Sequence, residues 1–220
     1  AGASAMSRAF NACRAAACDP AALGDTSVPP ELELLVPGRS SGMWAGEAPA
    51  KRAAVCKLLA GHRGQALVFT DFARGATALV EELERCGVAA AAYTSRVTPA
   101  RRARSVDAFR SGELRVMVLS GLARQGLNLQ QADLVVHYDV PATPSSATQR
   151  VGRAVRIGNP HPHVEVVTMV SNLTVDQPLA HRAQRLENEG DWLEAAAASV
   201  APLREVALEC VQALQPAPSQ

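Results

Sequence analysis

Lysine is nearly absent from this 220-residue chain: only Lys51 and Lys57 occur, so 20 of its 22 basic residues are arginine. The 21 acidic residues leave a net charge of +1, which excludes a histone-like or polybasic-tail protein. Nucleic-acid binding is not excluded, because a balanced chain can still carry one basic face. We ascribe most of the arginine excess to a GC-rich genome, although arginine is also the residue that makes forked contacts to phosphate.

Three further absences narrow the class of protein. No apolar run approaches the roughly 20 residues that span a bilayer, so we expect no membrane partner. The segment from Ala1 to Arg14 lacks the layout of a signal peptide. Cysteines are few and odd in number, five in all, which favours free thiols in a reducing compartment over a disulfide framework.

Short apolar runs alternate with amphipathic stretches from Lys51 onward. Strands are predicted at 65–70, 88–93, 114–120, 133–138 and 164–170. Helices are predicted at 51–61, 74–86, 98–110 and 145–156. Apolar runs separated by amphipathic helices predict an α/β fold, a doubly wound parallel sheet with helices on both faces.

The chain divides into three parts by composition. Residues 1–50 hold an Ala-rich helix at 3–17 and many turn signals, and we expect them to form an irregular lead-in. Residues 51–190 form the sheet domain. Residues 191–220 are expected to be a helical appendage with a frayed tail.

The sharpest chemical signal is the segment QRVGRAVRIG, from Gln149 to Gly158. Three arginines fall within seven residues, and on a helix Arg153 and Arg156 share a face. Two guanidinium forks on one face can bind a triphosphate, although a solvated basic helix surface is the alternative. Upstream, Ser120 ends a predicted strand and is followed by a Gly-bearing loop, where backbone amides can approach phosphate.

These segments resemble known motifs. GLNLQQADLVVHYDVP and QRVGRAVRIG resemble motifs V and VI of superfamily 2 helicase-like ATPases, and QALVFTDF is similar to motif IV. The QRxGRxxRIG form points to the Snf-type branch (SWI/SNF-like, RapA-like), because the DEAD-box branch typically has His where this chain has Gln149. ACDP, at residues 17–20, resembles the linker that enters the second lobe of Snf-type enzymes. The resemblance covers about residues 10–190.

The resemblance implies a RecA-like second lobe of an ATP-dependent double-stranded DNA translocase or remodeller. Arg153 and Arg156 match the arginine fingers, which can be worth roughly 10³–10⁵ in rate. The residues that would line the ATP cleft are Gln149, Gly126, Asn128 and Gly152. The residues that would contact the nucleic-acid backbone are Thr70, Ser120, Arg124 and Arg96.

Two motifs of such an ATPase are missing from the sequence. It contains no G-x-x-x-x-G-K-[ST] and no Asp-Glu pair, so ATP and Mg²⁺ would be held mainly by an absent first lobe. We therefore expect a fragment that is inactive alone. The expected partners are the N-terminal RecA-like lobe of the same protein, double-stranded DNA rather than RNA, and a protein bound through the C-terminal helices. A bacterial protein would be cytoplasmic and nucleoid-associated, and a eukaryotic one nuclear.

Two other functions stay open: a lobe of an RNA or single-strand helicase, and a non-catalytic α/β module that binds a protein.

A zinc site at Cys13 and Cys18 is disfavoured, because zinc needs four ligands at workable spacing. His137 is interpreted as a core or edge histidine. Trp44 is a stacking residue or an anchor for its loop.

Overall fold

The computed structural model describes residues 2–26, 49–121, 127–156, 158–172 and 174–188. The helices are α1 (Gly2–Cys18), α2 (Ala50–Gly61), α3 (Ala73–Arg85), α4 (Pro99–Ser111), α5 (Pro144–Val151) and α6 (Asp176–Asn188), with a 3-10 turn at Pro20–Asp25. The strands are β1 (Ala66–Thr70), β2 (Ala90–Tyr93), β3 (Val116–Ser120), β4 (Leu134–His137) and β5 (Glu165–Thr168).

The five strands form one parallel sheet in the order β2-β3-β1-β4-β5. β1 lies in the centre, with Thr70 opposite Ser120 of β3 and Phe69 opposite His137 of β4. The prediction of a doubly wound, RecA-like α/β fold is confirmed. Because all strands point the same way, their carboxyl ends meet at one edge of the sheet, which is where such folds place ligands.

Apolar layers cover the two faces of the sheet. Val68 of β1 packs with Leu79 of α3 on one face, whereas its neighbours Leu67 and Phe69 pack with Phe109 of α4 on the other. This alternation follows from the two-residue repeat of a strand. Central strands that are apolar on both sides therefore explain the apolar runs in the sequence.

The helix predicted at 3–17 is present as α1. Its residues Ala12, Ala15 and Cys18 are buried in the same core as Val68 and Leu79, so α1 is packed onto the sheet domain. The division of the chain at residues 50 and 190 stays a prediction. Residues 27–48, with Trp44, and 189–220, with the predicted C-terminal helices, lie outside the described residues.

Local signals set the bounds of α4. Thr98 caps its amino end by accepting a hydrogen bond from the backbone N–H of Arg101, and Pro99 is its first residue. The helix ends at Ser111 and is capped by Gly112, whose φ of +83° is a left-handed conformation that favours glycine. The helix start predicted at residues 98–99 is confirmed.

β5 is less buried than its apolar run predicts. It pairs with β4 on one side, and Val166 is 44% exposed.

Within the described part of the chain, no helix combines the length and apolar character that crossing a bilayer requires.

Candidate functional site

A pocket opens at the carboxyl edge of the sheet, between the ends of β1 and β3 and the helix α5. Its lining residues are Phe69, Thr70, Asp71, Leu119, Ser120, Gly121, Ser146, Gln149 and Arg150. It therefore brings together three predicted site residues that are distant in sequence: Thr70, Ser120 and Gln149. The resemblance implies a nucleic-acid contact for Thr70 and Ser120 and a place in the ATP cleft for Gln149.

Four charged side chains form a cluster at this edge, and two of them, Asp71 and Arg150, line the pocket. The other two are Arg14 and Asp139, and we call the set the four-charge cluster. Arg150 Nη2 donates to Asp139 Oδ1 at 2.7 Å and to Asp71 Oδ1 at 2.9 Å. Arg14 Nη2 donates to the other Asp71 oxygen, Oδ2, at 2.7 Å. Two cations and two anions thus balance at a site that is largely closed to water.

Asp139 is the most buried member of the cluster, with no exposed surface. Its Oδ2 accepts hydrogen bonds from the Thr70 hydroxyl at 2.8 Å and from the Asp71 backbone N–H at 2.6 Å. Burial by itself would lower the pKa of the Arg150 guanidinium, but the charges and hydrogen bonds of Asp139 and Asp71 outweigh it and raise that pKa. The cluster therefore holds Arg150 as a cation.

The prediction of one helix over residues 145–156 is wrong in its second half. α5 ends at Val151: the Gly152 N–H still donates to the Thr148 carbonyl at 2.9 Å, but the Arg153 N–H turns back to the Arg150 carbonyl at 3.2 Å. A Cβ at Gly152 would lie 3.1 Å from the Thr148 carbonyl oxygen, so the glycine permits a close approach here.

Because the helix has ended, Arg153 and Arg156 do not share an exposed helical face. Arg153 is only 7% exposed, whereas Arg156 is exposed and its Nε donates to the Gly152 carbonyl at 3.0 Å. Burial and the nearby charge of Arg156 lower the pKa of Arg153. An anion bound near these two arginines would favour their charged forms.

The predicted nucleic-acid contacts have different surroundings. Thr70 and Ser120 are buried at the pocket, and the Thr70 hydroxyl is already engaged with Asp139. Arg96 is exposed beyond β2, with its Nε 3.7 Å from Asp25 Oδ1. Direct contact of these residues with nucleic acid stays a prediction.

The glycine-bearing loop is described only in part. Arg124 and Gly126 lie outside the described residues. The Asn128 carbonyl accepts hydrogen bonds from Arg110 at 3.3 Å, and its side-chain oxygen is buried without a hydrogen-bond partner in the described structure. Its assignment to the ATP cleft stays a prediction.

His137 is buried at the end of β4, as the core interpretation predicts. Burial and the charge of Arg150 lower its pKa to about 3, so the imidazole is neutral at physiological pH. Among the described residues, no group of three or more His, Cys, Asp or Glu side chains is placed to hold a metal ion.

The four-charge cluster was missed by sequence reasoning. A partial signal existed, because Asp71 directly follows β1 and Asp139 stands two residues after the end of β4, where ligand-binding residues collect. No sequence signal pointed to Arg14, which lies 57 residues before Asp71.

The fold is a parallel α/β lobe with polar and charged side chains at the carboxyl edge of its sheet, and its sequence matches a known family. Residues 50–158 match the family described as helicase conserved C-terminal domain. Just under half of the chain is therefore similar to the helicase C-terminal domain.

A curated relative is the ATP-dependent RNA helicase dbp8 of Emericella nidulans, 31% identical over 147 residues. The match covers 64% of this chain and 27% of the relative, so the chain spans about a quarter of that protein's length. The expected Snf-type branch is not confirmed, since this relative is named an RNA helicase.

Two solved structures share the fold. The C-terminal part of the Fun30 ATPase domain has a TM-score of 0.58 at 18% identity, covering 83% of this chain and 58% of that one. The C-terminal domain of the DEAD-box protein Dbp5 has a TM-score of 0.53 at 20% identity, covering 63% of this chain and 79% of that one. At these identities the likeness supports the fold alone.

Proposed function

We propose that this chain is the second RecA-like lobe of an ATP-dependent superfamily 2 helicase that acts on RNA. The observation that carries the proposal is the turn after α5, where a buried Arg153 is followed by an exposed Arg156 whose charge helps to lower the pKa of Arg153. The name of the curated relative, an ATP-dependent RNA helicase, supports RNA as the nucleic acid.

In this proposal the turn meets the triphosphate of ATP bound by a first lobe. Arg156, which is exposed, reaches the phosphate, and Arg153 adds a second, partly desolvated charge. Their role is to neutralise the charge that spreads over the transferred phosphoryl group. Gly152 permits the turn, and Gln149 lies one helical turn earlier at the pocket. Mg²⁺ is assigned mainly to the first lobe, as the resemblance implies.

The nucleic acid would follow the pocket at the ends of β1 and β3. Ser120, Ser146 and Gln149 line it with groups that can hydrogen-bond phosphate or ribose oxygens. Such contacts bind the backbone without reading base sequence. This suits a protein that moves along a strand.

A second candidate is the Snf-type translocase acting on double-stranded DNA. The observation that favours it is Gln149, which is exposed at the pocket and stands where the DEAD-box branch typically has His. The two candidates share the fingers and differ in the nucleic acid that stimulates hydrolysis.

The test is ATP hydrolysis by a protein in which this chain is joined to a first lobe. We expect single-stranded RNA to stimulate hydrolysis more than double-stranded DNA, and Arg156→Ala to lower kcat by about 10³-fold or more. Arg85→Ala is the matched control, because Arg85 is an exposed arginine on α3 that contacts Glu82.

Each outcome decides between the candidates. Stimulation by double-stranded DNA alone would replace the RNA proposal with the translocase. Hydrolysis that survives Arg156→Ala would remove the finger assignment. No hydrolysis with either nucleic acid, in a folded two-lobe protein, would leave a non-catalytic interaction module.

A further inference from the structure

The helix α1 lies outside residues 50–158, the segment that matches the helicase domain, yet it supplies one member of the four-charge cluster. We propose that Arg14 is a positioning residue: through Asp71 and Arg150, α1 holds the turn that carries Arg153 and Arg156. The inference rests on the proposed function for its effect on hydrolysis, but its structural part does not.

The first step concerns the contacts that hold the Arg14 side chain. Its Nη2 donates to Asp71 Oδ2 at 2.7 Å and to the Val140 carbonyl at 3.3 Å, and lies 4.0 Å from Asp139 Oδ1. The guanidinium also lies over the ring of Phe72, 5.8 Å from its centroid. Arg14 thus contacts the chain just after both β1 and β4.

The second step is the sharing of Asp71. Its two carboxylate oxygens are divided between two arginines, Oδ2 to Arg14 and Oδ1 to Arg150. A carboxylate held on both sides by charged donors has little freedom to rotate. Without Arg14, Asp71 would lose the charged donor to its Oδ2, and Asp71 lines the pocket.

The third step leads from Arg150 to the fingers. The Arg150 side chain is fixed by Asp71 and Asp139, while its backbone carbonyl accepts the N–H of Arg153 at 3.2 Å. A shift of Arg150 therefore moves the turn directly. On the far side, the Leu129 N–H donates to the Arg153 carbonyl at 3.3 Å.

A separate anchor keeps α1 in place when Arg14 is replaced. Asp19, directly after the helix, pairs with both donors of the Arg52 fork at 2.8 and 2.6 Å and accepts from the Tyr138 hydroxyl at 2.8 Å. Ala15 and Cys18 are buried in the apolar core. The effect of Arg14 on the turn can thus be separated from the docking of the helix.

The experiment compares Arg14→Met, Arg14→Lys and Arg8→Met in the two-lobe protein. Arg8 is the matched control, an exposed arginine on the same helix. We expect Arg14→Met to lower kcat for ATP hydrolysis by about 10- to 100-fold, as a small misplacement of catalytic groups does. The KM for ATP should change less than about twofold, since the first lobe holds the nucleotide. Arg14→Lys should recover part of the rate, and Arg8→Met should match the wild type.

A second readout does not depend on hydrolysis. Amide hydrogen exchange should accelerate at least about tenfold at Asp71 and Arg153 in Arg14→Met, and not in Arg8→Met, because their N–H groups bond within the cluster and the turn. Unchanged exchange at both amides in the folded variant would overturn the proposal. If Arg14→Met does not fold, the same comparison on Arg14→Lys decides, because lysine keeps the charge and loses the fork.

The two readouts separate this inference from the proposed function. Faster exchange in a protein that hydrolyses no ATP would retain the positioning role and reject the helicase assignment. Normal exchange together with a large fall in kcat would reject positioning through the turn.

Discussion

Asp139 offers the most direct test of the four-charge cluster. Replacing it with Asn preserves the size of the side chain and one oxygen that can accept from the Thr70 hydroxyl and the Asp71 N–H. It removes the negative charge that faces Arg150 at 2.7 Å and Arg14 at 4.0 Å, leaving two buried arginines with one carboxylate. Removing one partner of a buried pair typically costs about 3–5 kcal/mol. We therefore expect Asp139→Asn to lower the free energy of unfolding by about that amount.

Urea unfolding followed by circular dichroism at pH 7 measures the loss. The control is Asp107→Asn, a change of the same charge at an exposed position on α4, for which we expect less than about 0.5 kcal/mol. A loss for Asp139→Asn below about 1 kcal/mol would refute the reasoning, because it would show that the cluster tolerates an uncompensated positive charge.

Two further predictions concern buried groups next to the site. The pKa of His137 is about 3 in the folded chain and about 6.5 in the unfolded chain, so the unfolded chain binds a proton that the fold excludes as the pH falls below 6.5. Excluding this proton lowers the free energy of unfolding of the wild type by about 2 kcal/mol by pH 5. In urea unfolding, the fall in this free energy between pH 7 and pH 5 should therefore be about 2 kcal/mol smaller for His137→Gln than for the wild type. Equal falls in the two proteins would contradict the prediction. Tyr138→Phe removes a 2.8 Å hydrogen bond to buried Asp19, and we expect it to lower the free energy of unfolding by about 1.5–3 kcal/mol, measured in the same way. A neutral effect would mean that Arg52 and the Ala21 N–H satisfy Asp19 without the tyrosine.

The parts of the fold that were predicted correctly are set by neighbouring residues. Thr98 and Pro99 start α4 wherever the helix is placed, because cap and first turn interact only with each other. The central strands are apolar on both faces, and this shows directly as unbroken runs. Such features depend on a few adjacent residues, so a single sequence contains enough information to find them.

The end of α5 was missed because a tertiary contact decides it. The pattern from Ser145 to Arg156 has no proline, and its one glycine, Gly152, does not by itself stop a helix. The helix ends where the Arg150 side chain bonds to Asp71 and Asp139 and the Arg150 carbonyl accepts the N–H of Arg153. The partners of an arginine cannot be identified from composition or spacing, so the four-charge cluster became visible only in three dimensions.

The sequence separations within the four-charge cluster have a consequence for folding. Arg150 and Asp139 are 11 residues apart, whereas Arg14 and Asp71 are 57 apart and Arg150 and Asp71 are 79 apart. The local pair can form as soon as β4 and α5 meet, but the full cluster requires closure of both long loops, which is slow. A partly folded chain would therefore leave charges without partners in a closing interior. The four-charge cluster is thus complete only when the last long-range contact has formed, and a half-folded lobe would lack it.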